Sequence, residues 1–153
     1  MDVKFINPFV DATLNVLRTM AGLNPTNGKP YLKAEKKSKG EVTGLIGLVG
    51  AKTRGSFAVS FQESCIKQIV SNMLGEEIPE MNGDVLDAVG ELTNMISGGA
   101  RAKLAEQGLD FEMAVPMVIT GTGHNITHIT DHPIIVIPFE TEAGSFFIEA
   151  CLK

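Results

Sequence analysis

The chain has 153 residues, of which 44% are hydrophobic and 20% charged, as in an ordinary globular domain. We therefore expect one domain over residues 1–153. The net charge is −5, and the single lysine cluster, at residues 33–39, has no interleaved aromatic side chains. The sequence thus predicts no nucleic-acid partner, and a solvated loop or edge strand at the lysine cluster.

Apolar stretches are too short to cross a membrane and no signal segment opens the sequence, so we expect a cytoplasmic protein with no membrane contact. Cys65 and Cys151 stand far apart and lack the spacing of metal ligands. The two cysteines predict a reducing compartment and buried thiols that behave as small hydrophobic side chains.

The first predicted element is a helix over residues 5–22. Asn7 can cap its start, Pro8 suits its first helical position and Gly22 can end it. Apolar residues at helical spacing give this helix one core-facing stripe. The turn-forming residues that follow, 24–30, predict a loop.

A strand-rich section and two helices come next. Residues 41–50 and 54–62 are short apolar runs that predict a β-hairpin. Glycines in the first run indicate a bulge or the close approach of another backbone. A second helix is expected at 63–75, and a third from about residue 83 to residue 107, closed by Gly108.

The last section again has the pattern of strands, at residues 112–121, 133–140 and 145–153. A short turn joins the last two as a hairpin. The order helix, strands, two helices, strands predicts an α+β domain, with helices packed on one face of a largely antiparallel sheet.

The third helix separates into two faces when it is drawn on a helical wheel at about 100° per residue. The core-facing residues are Val85, Val89, Leu92 and Ile96. The residues on the opposite, outward face are Asp87, Glu91, Asn94 and Gly98. Outward acidic and amide side chains are common on solvated helices, so solvation alone is the simpler interpretation.

The glycines of this helix favour a second interpretation, a docking surface. Each glycine costs about 1 kcal/mol relative to alanine inside a helix, and a helix that another surface must approach closely has a reason to contain them. A carboxylate and a carboxamide one turn apart can position a water molecule and pair with a cation. No histidine or serine joins them by sequence in a nucleophilic triad, and so few carboxylates cannot hold a metal tightly.

A resemblance to a known family rests on four residues and on a segment near the start of the chain. Asp87, Glu91 and Asn94 are followed by Pro116, twenty-two positions after the asparagine. The early segment is NPFVDATLNVLRTM. Together they resemble the CheX, CheC and FliY phosphatases of bacterial chemotaxis, and the single motif resembles the CheX branch. The resemblance covers essentially the whole chain and implies a CheC-like fold.

The resemblance also implies a function, the dephosphorylation of a phosphorylated, CheY-like response regulator. Asn94 would orient the attacking water and Glu91 would pair with the regulator's active-site lysine, so both are expected to be catalytic. Asp87 and Gly98 are expected to dock the partner. The family further implies that this chain binds no cofactor, that Mg²⁺ is held by the regulator, and that two chains form a homodimer.

Two alternatives remain open. His124, His128 and His132 recur every fourth residue, which invites a metal site, but the segment has the pattern of extended chain, in which residues four apart lie about 13 Å from one another. We therefore expect no metal and exposed or interface histidines, with residues 125–130 in the dimer contact. The outward face of the third helix could also bind a response regulator, or a flagellar or signalling scaffold, without accelerating hydrolysis.

Overall fold

The computed structural model describes residues 3–51, 53–128 and 133–152. The helices in these ranges are α1 (Val3–Ala21), α2 (Glu63–Leu74) and α3 (Gly83–Glu106). The strands in the same ranges are β1 (Thr26–Asn27), β2 (Tyr31–Leu32), β3 (Val42–Val49), β4 (Arg54–Phe61), β5 (Glu112–Met113), β6 (Met117–Thr120), β7 (Ile135–Thr141) and β8 (Gly144–Leu152).

The described strands form one antiparallel sheet in the order β1-β7-β8-β4-β3-β5, with β2 also on β7 and β6 also on β3. Its centre consists of the two hairpins that the sequence predicted, β3 with β4 and β7 with β8. The helices pack on one face, where the ring of Phe9 in α1 stacks on Phe57 of β4 with 5.0 Å between centroids. The predicted α+β architecture is therefore confirmed.

Strand alternation places a second set of side chains on the opposite face of the sheet, which we call the outer face. Phe57, Val59 and Phe61 of β4 point into the helix-covered core, so Ser56 and Ser60 lie on the outer face. Two segments cover much of it, residues 33–40 and 121–128. Their backbones hydrogen-bond to each other, as where the Ser38 N–H donates to the His124 carbonyl at 2.7 Å.

The start of α1 differs from the prediction. The helix begins at Val3 rather than at a cap formed by Asn7, and Pro8 lies inside it. Ile6 is buried and Phe5 packs against the core. Burial of these apolar side chains accounts for the extra turn, in spite of the backbone hydrogen bond that a proline removes.

Two predicted segments are subdivided in the structure. The expected loop at residues 24–30 contains β1, because the edge of β7 offers its backbone groups to Thr26 and Asn27. The expected strand at residues 112–121 is broken into β5 and β6 on either side of Pro116. Proline has no N–H to donate, so it interrupts a strand ladder.

Burial of polar side chains on the outer face corrects two further expectations. Lys33 is not solvated: its side chain is 8% exposed and pairs with Glu149. His128 is not exposed, because its side chain lies against the same carboxylate. The two cysteines are buried as predicted, and burial raises the pKa of the Cys65 thiol to about 11.

Candidate functional site

The candidate site lies on α3, whose ends agree closely with the prediction. The side chain of Asn82 caps its start by accepting a hydrogen bond from the Val85 N–H at 3.1 Å. Beyond Gln107, which caps the other end, Gly108 has a φ of +84°, a conformation that favours glycine. The predicted core stripe, Val85, Val89, Leu92 and Ile96, is fully buried.

A close contact between α3 and β3 determines how closely the helix packs on the sheet. A Cβ added to Gly44 of β3 would overlap the hydroxyl of Thr93, and would lie 2.9 Å from the Thr93 Cβ. The Thr93 hydroxyl donates to the Val89 carbonyl at 2.6 Å, and its side chain is completely buried. Gly44 thus marks a close approach by a side chain, whereas the expected approach of another backbone occurs at Gly50, where an added Cβ would lie 2.5 Å from the Asp110 carbonyl oxygen. Thr93 immediately precedes Asn94, so this contact also places the candidate catalytic residue.

The glycines of α3 have different neighbours. A Cβ on Gly99 would lie 3.2 Å from the Cβ of Ala12, so this glycine lets α1 cross α3 at close range. It therefore serves packing within the chain, although the residue is also partly open to solvent. Gly98 is half-buried and lies beside the side chain of Met113, whereas Gly90 faces Val118 of β6.

Asp87, Glu91 and Asn94 are all exposed. Within the described ranges, none of the three side chains has a hydrogen-bond or ion-pair partner. Glu91 and Asn94 are one turn apart, a spacing that places their Cβ atoms about 5–6 Å from each other. A carboxylate and a carboxamide therefore stand side by side with their polar atoms unengaged.

Apolar surfaces flank this row of side chains on both sides. Between α2 and α3 lies an open groove of about 330 Å³, with Met73 and Leu74 on one wall and Asp87 and Glu91 on the other. On the opposite side of α3, the connection between β5 and β6 exposes 87% of Val115. The polar row is thus a ridge bordered by apolar surface, an arrangement typical of a protein-docking site.

The chemistry that this ridge can supply is limited by its groups. The Asn94 carboxamide is neutral and offers one acceptor oxygen and two N–H donors, so it can orient a water molecule but cannot act as a strong base. Glu91 can pair with a cation on a partner. Among the described residues, no three His, Cys, Asp or Glu side chains lie close enough together to hold a metal ion. His132 lies outside the described residues.

A buried network on the outer face was not found by sequence reasoning. Lys33 Nζ donates to both carboxylate oxygens of Glu149, at 2.9 and 2.8 Å, and His128 Nε2 lies 2.9 Å from one of them. Burial alone would raise the pKa of Glu149, but the hydrogen bonds from His128 and Lys33 outweigh it, so the pKa lies below its ordinary value. The one available signal was a glutamate inside the apolar strand SFFIEACL.

The same network includes Ser56, whose hydroxyl lies 2.6 Å from His128 Nδ1. Serine, histidine and glutamate in this order resemble a hydrolytic triad. The hydroxyl has no access to a substrate, however, because Ser56 is 3% exposed, and Glu149 is already paired with Lys33. The arrangement therefore holds the segment at residues 121–128 on the sheet.

No helix in the part of the chain that the structure describes is long and apolar enough to cross a membrane.

The sequence model of the family described as "Chemotaxis phosphatase CheX" matches residues 42–140. The "CheY-P phosphatase CheX" of Thermotoga maritima is 29% identical over 122 residues, which are 79% of this chain and 78% of that protein.

Solved structures agree with this assignment. The chemotaxis protein CheX from Vibrio vulnificus is 48% identical, with a TM-score of 0.92 over 97% of this chain and 99% of that one. The CheX–CheY–BeF3–Mg²⁺ complex from Borrelia burgdorferi contains a chain that is 24% identical, with a TM-score of 0.83 over 97% of both chains, which shows a common fold. The predicted CheX-type resemblance is confirmed, and this chain belongs to the family of the chemotaxis phosphatase CheX.

Proposed function

We propose that this chain dephosphorylates a phosphorylated, CheY-like response regulator, and that α3 enters the regulator's active site. The observation that carries the proposal is the exposed pair Glu91 and Asn94, which has no partner among the described residues of its own chain. Membership of the CheX family supports the reaction class. The Thermotoga relative is a CheY-P phosphatase, and the Borrelia relative was solved with CheY, which supports the choice of partner.

In the proposed mechanism, Asn94 positions the water that attacks the phosphorus of a phosphoaspartate. Its carbonyl oxygen accepts a hydrogen bond from that water and holds it in line with the bond to the aspartate oxygen. The new bond joins the water oxygen to phosphorus while the bond from phosphorus to the aspartate oxygen breaks. The aspartate leaves as a carboxylate, and the water's proton ends on inorganic phosphate or in solvent. Because the carboxamide is neutral, its contribution is orientation.

Glu91 would pair with the active-site lysine of the regulator, one turn of helix away from the reacting water. Asp87 and Gly98 would contact the regulator around this centre, with the apolar surfaces beside α3 completing the docking area. The Mg²⁺ ion would be held by the regulator, where it neutralises charge on the transferring phosphoryl group.

We also infer a homodimer joined through the sheets. Within the described strands, β5 and β6 each pair only with β3, so this side of the sheet ends in an open edge. An open edge offers unpaired N–H and carbonyl groups to a second chain. Residues 125–128 of the segment expected at the dimer contact lie over the outer face, and residues 129–130 are outside the described residues.

The experiment that tests the function is phosphate release from a phosphorylated CheY-type regulator, with binding measured in parallel. Asn94→Ala should lower the rate about a hundredfold or more while leaving binding largely intact, because it removes only the group that orients the water. Glu91→Ala should weaken both binding and rate. The matched control is Asn15→Ala, an exposed asparagine on α1, which should change neither.

Two further measurements separate the possible outcomes. Both site variants should unfold like the wild type, whereas Val89→Asp should lose several kcal/mol of stability, because it places an unpaired charge in the core. Wild-type binding without acceleration would make α3 a docking module. If wild type neither binds nor accelerates any regulator from its own genome, the proposed function is wrong.

A further inference from the structure

A second concave site lies on the outer face, on the side of the sheet away from α3. The strand register puts Tyr31 of β2 opposite Val136 of β7, and Val136 opposite Glu149 of β8. Directly opposite residues share a face, so these three side chains form a row on the outer face. The segment at residues 33–39 folds over the row and borders a half-open cavity of about 460 Å³. This volume is in the range of small-molecule sites.

The floor of the cavity is charged, and its charged groups already have partners. The side chains of Lys33 and Glu149 are 8% and 4% exposed and pair directly. The Lys33 ammonium also donates to the Lys36 carbonyl at 3.4 Å, and Glu149 receives its further hydrogen bond from His128. These groups need no ligand, and they hold the walls in place.

One polar group beside this ion pair remains unsatisfied. The hydroxyl of Tyr31 is buried and has no hydrogen-bond partner among the described residues. Such a group costs free energy in the empty protein, and a ligand oxygen would remove that cost. Lys39 Nζ lies over the rings of Tyr31 and Phe147, 4.9 and 5.7 Å from their centroids.

The charge at the mouth of the cavity favours an anion. Lys37 and Lys39 line it, with Glu35 as the opposing carboxylate, while the Lys33 and Glu149 charges neutralise each other. The chain as a whole has a net charge of −5, so this surplus of positive charge is confined to the segment at residues 33–39. Beside it, Phe147 and Val136 offer an apolar wall.

We propose that this cavity binds a small organic anion, whose carboxylate or phosphate faces Lys37 and Lys39 and whose apolar body packs on Phe147. A shift of the exposed Lys39 side chain, which lies over the Tyr31 ring, would open the buried Tyr31 hydroxyl to a ligand oxygen. The site is independent of α3, and nothing in the proposed phosphatase mechanism uses it. Carboxylate and phosphate present the same kind of oxygen to the hydroxyl and the ammonium groups, so the two are distinguished by experiment.

The composition of the chain provides a direct reporter, because Tyr31 is the single tyrosine and there is no tryptophan. Full-length protein labelled with 3-fluorotyrosine therefore gives one ¹⁹F resonance, from the cavity. The probes are phenyl phosphate, benzoate, inorganic phosphate and the neutral analogue benzyl alcohol. We expect a saturable shift with phenyl phosphate, benzoate or both, a weaker response to inorganic phosphate and none to benzyl alcohol.

Variants then assign the contact. Lys39→Met should raise the dissociation constant of the better aryl anion about tenfold or more, since a charge-assisted contact is lost. Lys103→Met, on α3, is the matched control and should leave it unchanged. Tyr31→Phe, followed by calorimetry, should weaken binding to a similar degree while the ligand-free protein stays at least as stable as the wild type, because the hydroxyl it removes has no partner.

Three results would overturn the proposal: no saturable ¹⁹F shift with either aryl anion, an equal shift with benzyl alcohol, or a chemical shift that changes with protein concentration and not with ligand concentration. The last result would mean that a second copy of the chain covers the cavity. No response regulator is present in this assay, so its failure is distinct from a failure of the phosphatase proposal.

Discussion

Replacing Gly44 by alanine tests whether the depth of α3 on the sheet is set by one contact. The new Cβ would overlap the Thr93 hydroxyl and lie 2.9 Å from the Thr93 Cβ, closer than such atoms approach in folded proteins. Rotation of the threonine side chain cannot relieve the overlap, because its methyl group is only 3.3 Å away and its Cβ does not move on rotation. The helix and the strand must therefore separate.

The expected loss of stability follows from the position of the contact. Overpacking a close-packed core costs about 1–3 kcal/mol, and both partners here are attached directly to backbone inside regular elements. We expect Gly44→Ala to fall near the upper limit, about 3 kcal/mol, which for a chain of this size lowers Tm by about 6–12 °C. Gly83→Ala is the control, since a Cβ there meets nothing within 4 Å and its stability should be unchanged or slightly higher.

A double-mutant cycle with Thr93→Ala, followed by urea unfolding, checks the cause. Thr93→Ala removes the overlapping hydroxyl and the methyl group, and leaves only the Cβ near the added methyl of Ala at position 44. The double variant should therefore be more stable than Gly44→Ala alone, with a coupling of at least about 1 kcal/mol. Additive losses in the double variant, or a Gly44→Ala protein as stable as the wild type, would refute the packing argument.

The remaining predictions concern the outer face and the assembly. The pKa of Glu149 is lower in the folded state, so its ionised form contributes stability that is complete above the unfolded value of 4.5 and is lost as pH falls through the folded value. Glu149→Gln should therefore be destabilised by about 3 kcal/mol at neutral pH. The difference in unfolding free energy between this variant and the wild type should shrink as pH falls below the unfolded-state pKa of Glu149. The exposed control Glu142→Gln should unfold with the same free energy as the wild type. Light scattering should give twice the monomer mass, and a monomer at all accessible concentrations would contradict the inferred dimer.

Patterns with a local physical cause were readable in the sequence. The buried and exposed faces of α3 follow from a repeat of about 3.6 residues, which depends only on helix geometry. The ends of α2 and α3 follow from glycines in left-handed conformations, Gly75 and Gly108. The roles proposed for Glu91 and Asn94 came from the family resemblance, and the structure leaves both side chains exposed.

Contacts between distant segments were not readable, because no local repeat encodes them. Lys33 looked like part of a solvated lysine cluster, yet it pairs with a glutamate 116 positions away. Only the register of β2, β7 and β8 brings the two together, and burial then makes their pairing obligatory. In the same way, the glycines of β3 indicated a close approach, but only the packing of α3 on the sheet identified Thr93 as its cause. The sequence by itself thus determined the helices, the two central hairpins and the exposed ridge of α3, whereas the tertiary structure decided how closely α3 packs on the sheet and which polar groups are buried on the opposite face.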